Sequence, residues 1–232
     1  MKTRTTRNNA QSRILLLLGM LLLNSCAGIP DIKAINSARV PEMLTICENA
    51  FPKGKWQFVH AIEATLAGGR EAQLIGVTEL SSNPERIHAV MMTIEGLVLF
   101  DGLFDGKLTI NRGIAPFDSP EFAQGLMEDI RLIFFKPAGE PIGAGITDQG
   151  FDVCRYRVAG DGVVDVMVRP DHRVEIREYR NERLIRKVSA RLRPSDITEL
   201  AKSFPEKITL TAQDPANYRL NLRLISAEKI TD

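Results

Sequence analysis

The chain has 232 residues, with 30 basic side chains against 29 acidic ones and a formal net charge of +1. Apolar residues make up 44% and charged ones 25%, the balance of a globular chain rather than a disordered one. The near-neutral charge excludes the basic face that nucleic-acid binding needs. The three histidines, His60, His88 and His172, lie too far apart to predict a metal site.

The chain opens on a basic, acid-free segment carrying Lys2, Arg4, Arg7 and Arg13. Ile14–Leu23 follows as an apolar run of ten residues, the length of a signal-peptide core, whereas crossing a bilayer takes about 20. The run closes at Leu23-Asn24-Ser25-Cys26, which resembles the bacterial lipobox. That resemblance implies cleavage before Cys26, a diacylglycerol on its thiol and an acylated new amine. The expected plan is a cleaved signal over 1–25, a lipidated N-terminus and tether over 26–50, and a folded domain over 51–232. Removing the signal leaves 207 residues with 26 basic and 29 acidic side chains. The lipid on Cys26 is the covalent group expected, with no cofactor. Cys47 and Cys154 then remain as an even pair in an oxidising compartment. A disulfide between them and two separate buried thiols are both open readings.

Pro41–Cys47 reads as a short helix packing Met43, Leu44 and Cys47 inward. From Trp56 the apolar period is two: Trp56, Phe58, Ile62 and Ala64 share one face. Strands are predicted at 56–65, 71–80, 87–94, 97–100 and 107–111, with turns at Gly68-Gly69, Ser81–Pro84, Asp101-Gly102 and Asp105-Gly106. The two Asp-Gly pairs lack the carboxylate spacing of a calcium loop and are read as turns. Asp118 or Ser119 can cap a helix with Pro120 in its first turn, and Lys136-Pro137 ends it. Phe122, Leu126, Ile130, Ile133 and Phe134, widened by Met127, form its apolar stripe, while Glu128 faces away and Asp129 and Arg131 have two readings, a latch of the helix to the sheet or a solvated face, of which the second is favoured. Residues 138–149 read as a Gly/Pro-rich loop. Strands resume at 151–158, 163–169, 173–179, 183–192, 207–211 and 218–225, with Glu175, Arg177, Glu178, Arg186 and Lys187 expected on a solvated face. A helical turn is expected within 196–202. The sum is a mainly β chain of about ten antiparallel strands with one main helix covering the sheet's apolar face.

This order resembles that of LolA and LolB, the periplasmic carrier and outer-membrane acceptor of bacterial lipoproteins, each an open β-barrel with a helical lid. Two segments, Met92–Phe100 and Ser119–Pro137, are similar to an uncharacterised LolB-like lipoprotein family of proteobacteria. The resemblance spans about residues 55–226. It implies an apolar cavity between sheet and lid, lined by Trp56, Phe58, Ile62, Leu74, Met91, Leu99, Phe122, Leu126, Ile130 and Phe134. It also implies a membrane-facing corner at Ile94, Glu95, Gly96 and Leu97. LolB exposes a leucine there, whereas this chain carries Glu95 beside Gly96, and a charge resists entering lipid.

Neither a Gly-x-Ser-x-Gly elbow nor a His-Glu-x-x-His pair is present, and Cys154 has no histidine close in sequence, so the chain is not expected to be an enzyme. The expected protein is a monomeric outer-membrane lipoprotein on the periplasmic side, since Ala27 and Gly28 lack the Asp that retains enteric lipoproteins in the inner membrane. Its partners are the membrane, through the anchor, and an apolar acyl ligand or another lipoprotein. The competing reading is an assembly lipoprotein that docks a protein and has no lipid cavity.

Overall fold

The computed structural model describes residues 28–192, 204–213 and 215–230. The signal segment, Cys26 and the turn expected within 196–202 lie outside them. The strands are β1 (Lys33–Ala34), β2 (Lys55–Thr65), β3 (Glu71–Ser82), β4 (Glu85–Thr93), β5 (Val98–Phe104), β6 (Leu108–Gly113), β7 (Pro141–Ile146), β8 (Asp152–Arg157), β9 (Val163–Val168), β10 (Arg173–Arg180), β11 (Arg183–Arg191), β12 (Lys207–Ala212) and β13 (Tyr218–Lys229). Two helices accompany them, α1 (Val40–Glu48) and α2 (Pro120–Phe134). All the strands join one antiparallel sheet in the order β1-β7-β8-β9-β10-β11-β12-β13-β2-β3-β4-β5-β6. The edge strands β1 and β6 do not pair with each other, so the sheet is open.

Alternation decides which face is which. In β2, Trp56, Phe58, His60, Ile62 and Ala64 are buried on the inner face, and the residues between them are half-buried or exposed. The register Ile62–Leu74 and Phe58–Thr78 carries that parity into β3, and Leu80–Ile87 carries it into β4. Helix α2 lies over this inner face: Met127, Ile130, Ile133 and Phe134 share one core with Phe58, Ile62, Met91 and Phe100. Ser119 Oγ accepts from Phe122 N–H at 3.3 Å and donates to Glu121 at 2.8 Å, which fixes the start of the helix. Phe135 is already extended ahead of Lys136-Pro137, as the residues before a proline favour.

The structure corrects the sequence reading in four places. Asp101-Gly102 is not a turn but the middle of β5, at a bulge. A Cβ on Gly102 would fall 2.3 Å from the Phe100 ring and 3.1 Å from Met127 Cε, so the glycine makes room for α2. Asp105-Gly106 does turn, with Gly106 at φ +97°. The loop expected at 138–149 contains β7, whose Gly145 is needed because a Cβ would lie 2.2 Å from the Lys33 carbonyl oxygen of β1. These additions explain why the sheet exceeds the ten strands expected.

The segment before β2 forms the short helix expected there: Met43 and Cys47 of α1 and the following Phe51 are buried in the main core, and Leu44 is half-buried. The Cys47 and Cys154 sulfurs are bonded and tie α1 to β8 across a separation of 107 residues. Lys136 at the end of α2 pairs with Glu48 at the end of α1. The other two corrections, the buried charges under α2 and the outward Phe122, belong to the site itself.

Candidate functional site

The contact between α2 and the inner sheet face has two chemically different sides. One is aromatic. Phe134 stacks on Phe58 with centroids 5.1 Å apart, and Phe204 meets both Phe58 (4.8 Å) and Trp56 (4.6 Å) edge-on. Such pairs add about 0.5–1.5 kcal/mol each to the burial of the rings. His60 stands among them, its ring 6.1 Å from Phe58 and 5.9 Å from Phe134. Burial pushes its imidazole down to about 4, so it is neutral at ordinary pH.

The other side is ionic. Asp129, read from sequence as solvated, is only 4% exposed. The Tyr218 hydroxyl of β13 donates to its Oδ2. Arg186 of β11 reaches three acids: Glu128 of α2 at 2.8 Å, Asp129 Oδ1 at 3.4 Å and Glu178 of β10 at 3.5 Å. Arg180 adds a longer contact to Glu178, at 3.6 Å. Asp129 Oδ1 and Glu178 Oε2 are buried without a hydrogen bond among the described residues. Three carboxylates thus crowd one central guanidinium. Burial, only partly offset by Arg186, raises the Asp129 carboxyl to about 6, and burial also raises that of Glu178.

Sequence reasoning missed this cluster although a signal was present. Val174, Ile176 and Glu178 share the inner parity of β10, while Arg186 and Val188 share that of β11, and Glu178 is the direct cross-strand partner of Arg186. Arg131, by contrast, remains partly exposed and pairs with Glu85 at 2.6 Å at the start of β4.

Of the proposed cavity residues, Trp56, Phe58, Ile62, Met91, Ile130 and Phe134 are buried in the core, and Leu74, Leu99 and Leu126 are half-buried against it. Phe122 turns outward, 41% exposed, with its ring edge-on to Phe117 at 5.1 Å; Ala123 takes its place inside. The nine others are brought together, and in this closed form side chains occupy the space around Phe58 and Phe134. At the β4–β5 corner Ile94 is 64% and Leu97 51% exposed. Gly96 there has φ +89°. The neighbouring Glu95 is exposed, and its carboxyl is lowered by its bond to Thr93 and by its own backbone N–H.

A cleft of about 490 Å³ lies on the opposite, outer face. Lys55, Glu79, Ser81, Arg86, His88 and Asn111 line it, with His88 held by Asp101 at 3.0 Å. Among the described residues, no three His, Cys, Asp or Glu side chains gather as a metal site, and no helix is long and apolar enough to cross a membrane.

No family model matches the chain, and no curated protein sequence does. Among solved structures it is similar to a LolA superfamily protein from Nitrosomonas europaea, at 12% identity and a TM-score of 0.48, covering 86% of this chain and 96% of that one. It is also similar to a domain named for outer-membrane lipoprotein sorting from Vibrio parahaemolyticus, at 10% identity and a TM-score of 0.48, covering 83% and 93%. Both likenesses concern the fold.

Proposed function

We propose that the protein is a lipid-anchored, periplasm-facing carrier or acceptor whose open sheet takes an apolar acyl ligand, from a lipid or another lipoprotein, when α2 lifts. The observation that carries this is the seal itself. Helix α2 covers the inner face beside β2 to β5, where α1 does not reach, through a contact that includes desolvated, under-partnered carboxylates. Apolar burial favours closing at about 25 cal/mol per Å². The buried charges return little of that, because their desolvation offsets their attraction. A cover held this way separates from the sheet more readily than a continuous apolar core, and a lid that moves governs entry and release. Once the face is uncovered, Met91 and Met127 adapt to chains of different shape.

Cys26 would hold the protein at the outer membrane. Ile94 and Leu97 would meet the bilayer at the corner, with the exposed Glu95 between them. The second reading, a docking lipoprotein with a solid interior, draws on the tight Phe58–Phe134–Phe204 packing.

Native mass spectrometry of the full protein, purified from membranes, separates the two. A bound acyl-containing molecule beyond the anchor supports the carrier; reproducibly empty protein that still captures a protein partner supports docking. A Cys26→Ala variant is expected in the soluble periplasmic fraction, and persistence in the membrane would remove the anchor from the account.

A further inference from the structure

We propose that the outer-face cleft beside Ser81 is a second binding site, which takes a small soluble molecule carrying a phosphate and, next to it, an ammonium group. The site lies on the face opposite α2 and does not depend on the acyl-ligand reading. Register places its parts. Lys55 of β2, Ser81 of β3 and Arg86 of β4 stand side by side in one row across the strands, and Gln57, Glu79 and His88 form the next row. Strands lie about 4.8 Å apart, so the first row spans about 10 Å with Ser81 at its middle. Ser81 lines the cleft, is only 8% exposed, and holds its Oγ buried without a hydrogen-bond partner among the described residues. The hydroxyl of the next residue, Ser82, is used: it accepts from the Gly54 N–H at 2.8 Å. Arg86 is exposed and makes no ion pair among the described residues. Buried polar groups are ordinarily satisfied, so an unpartnered hydroxyl beside an unpaired guanidinium, in a cleft of about 490 Å³, is an arrangement that a ligand completes.

The charges define the ligand's chemistry. A tetrahedral phosphate presents oxygens in several directions at once, so it accepts from the Ser81 hydroxyl and from the guanidinium fork of Arg86 together, while Lys55 adds positive charge on the other side. The next row has the opposite sign. Glu79 is half-exposed there, with one oxygen accepting from Gln57 at 2.9 Å and the other 3.9 Å from His88, whose far nitrogen lies 3.0 Å from Asp101. The two rows are about 6.7 Å apart along the strand, so Glu79 repels a bare phosphate and attracts an ammonium carried two carbons away from it. Leu103 and Ile230 supply apolar walls for the linking carbons. A lipid headgroup presents the same groups. The cleft, however, lies at the start of β4, whereas the 94–97 corner follows its end, about 25 Å further along the strand. The site thus stands away from the bilayer that the corner would meet, which favours the soluble source.

Isothermal titration of the full-length protein in phosphate-free detergent solution tests this with phosphoethanolamine, inorganic phosphate, ethanolamine and dihexanoylphosphatidylethanolamine. Phosphoethanolamine is expected to bind about fivefold or more tightly than phosphate, and ethanolamine more weakly than either. Arg86→Gln and Ser81→Ala should each weaken phosphoethanolamine about tenfold. Ser81→Ala removes a hydroxyl that nothing in the fold uses, so its melting temperature should not fall, and the loss of affinity is then a loss of contact rather than of structure. Glu79→Gln should erase the preference for phosphoethanolamine over phosphate. No binding of phosphoethanolamine by the unmodified protein, or the same affinity in Arg86→Gln and Ser81→Ala, would overturn the site. Ethanolamine binding as tightly as phosphoethanolamine would overturn the phosphate contact, and preference for dihexanoylphosphatidylethanolamine would overturn the soluble source in favour of a lipid headgroup.

Discussion

The two sides of the α2 contact hold the same helix by different physics. Around Phe134, contact is apolar, dry and made of rings that stack or meet edge-on. Around Asp129, it is a set of buried charges in which acids outnumber the central guanidinium. The aromatic side supplies cohesion and is indifferent to small rotations. The ionic side supplies little net stability but is directional, so it sets where the helix sits and makes the seal responsive to proton concentration. A core that served only stability would not place Asp129 and Glu178 there.

The comparison can be broken from the aromatic side first. Phe58→Ala should destabilise the protein by about 4 kcal/mol in denaturant unfolding, because the rings of Trp56, His60, Phe134 and Phe204 lose their common partner and a cavity remains. Arg186→Met should cost about 3 kcal/mol, since removing the one central cation leaves Asp129, Glu128 and Glu178 facing one another in a desolvated site. The two losses should differ in their pH dependence, with only the second relieved by acid.

Asp129→Asn is expected to act in the opposite direction, stabilising by about 1–2 kcal/mol at pH 7.5. A carboxyl whose pKa is raised on closing binds its proton more tightly in the closed form. Closure is therefore favoured below the raised value, and that advantage is lost as pH rises through about 6. Thermal unfolding of the unmodified protein should show this contribution being lost between about pH 4 and 6, and Asp129→Asn should flatten it. The smallest effect is reserved for the partly exposed pair: Arg131→Gln should change stability by less than about 0.5 kcal/mol. A larger loss would show that the helix is pinned at its rim as well as at its centre.

Much of the frame was legible because it rests on local chemistry. The period-two faces of β2 to β4, the Ser119-Pro120 start and the Lys136-Pro137 stop of α2 all appear where the residues predict them. What escaped depended on partners distant in the chain. Gly102, Gly143 and Gly145 look like turn residues in isolation, yet Gly102 and Gly145 are small because α2 and β1 approach closely. Asp129 looks solvated on a helical wheel until Tyr218 and Arg186, 89 and 57 residues later, are brought beside it. Phe122 looks like core until Phe117 takes up its ring outside. The lipobox was legible as a motif, and its residues stand outside those the structure describes.

The central claim is that α2 opens as a unit while the sheet stays folded, and native-state hydrogen exchange tests it most directly. Amides of residues 120–134 should exchange through a shared opening whose free energy lies well below that of β2 and β3, and Asp129→Asn should slow that opening at pH 7.5. Exchange of the helix only together with β2 and β3, at the global unfolding free energy, would contradict the account.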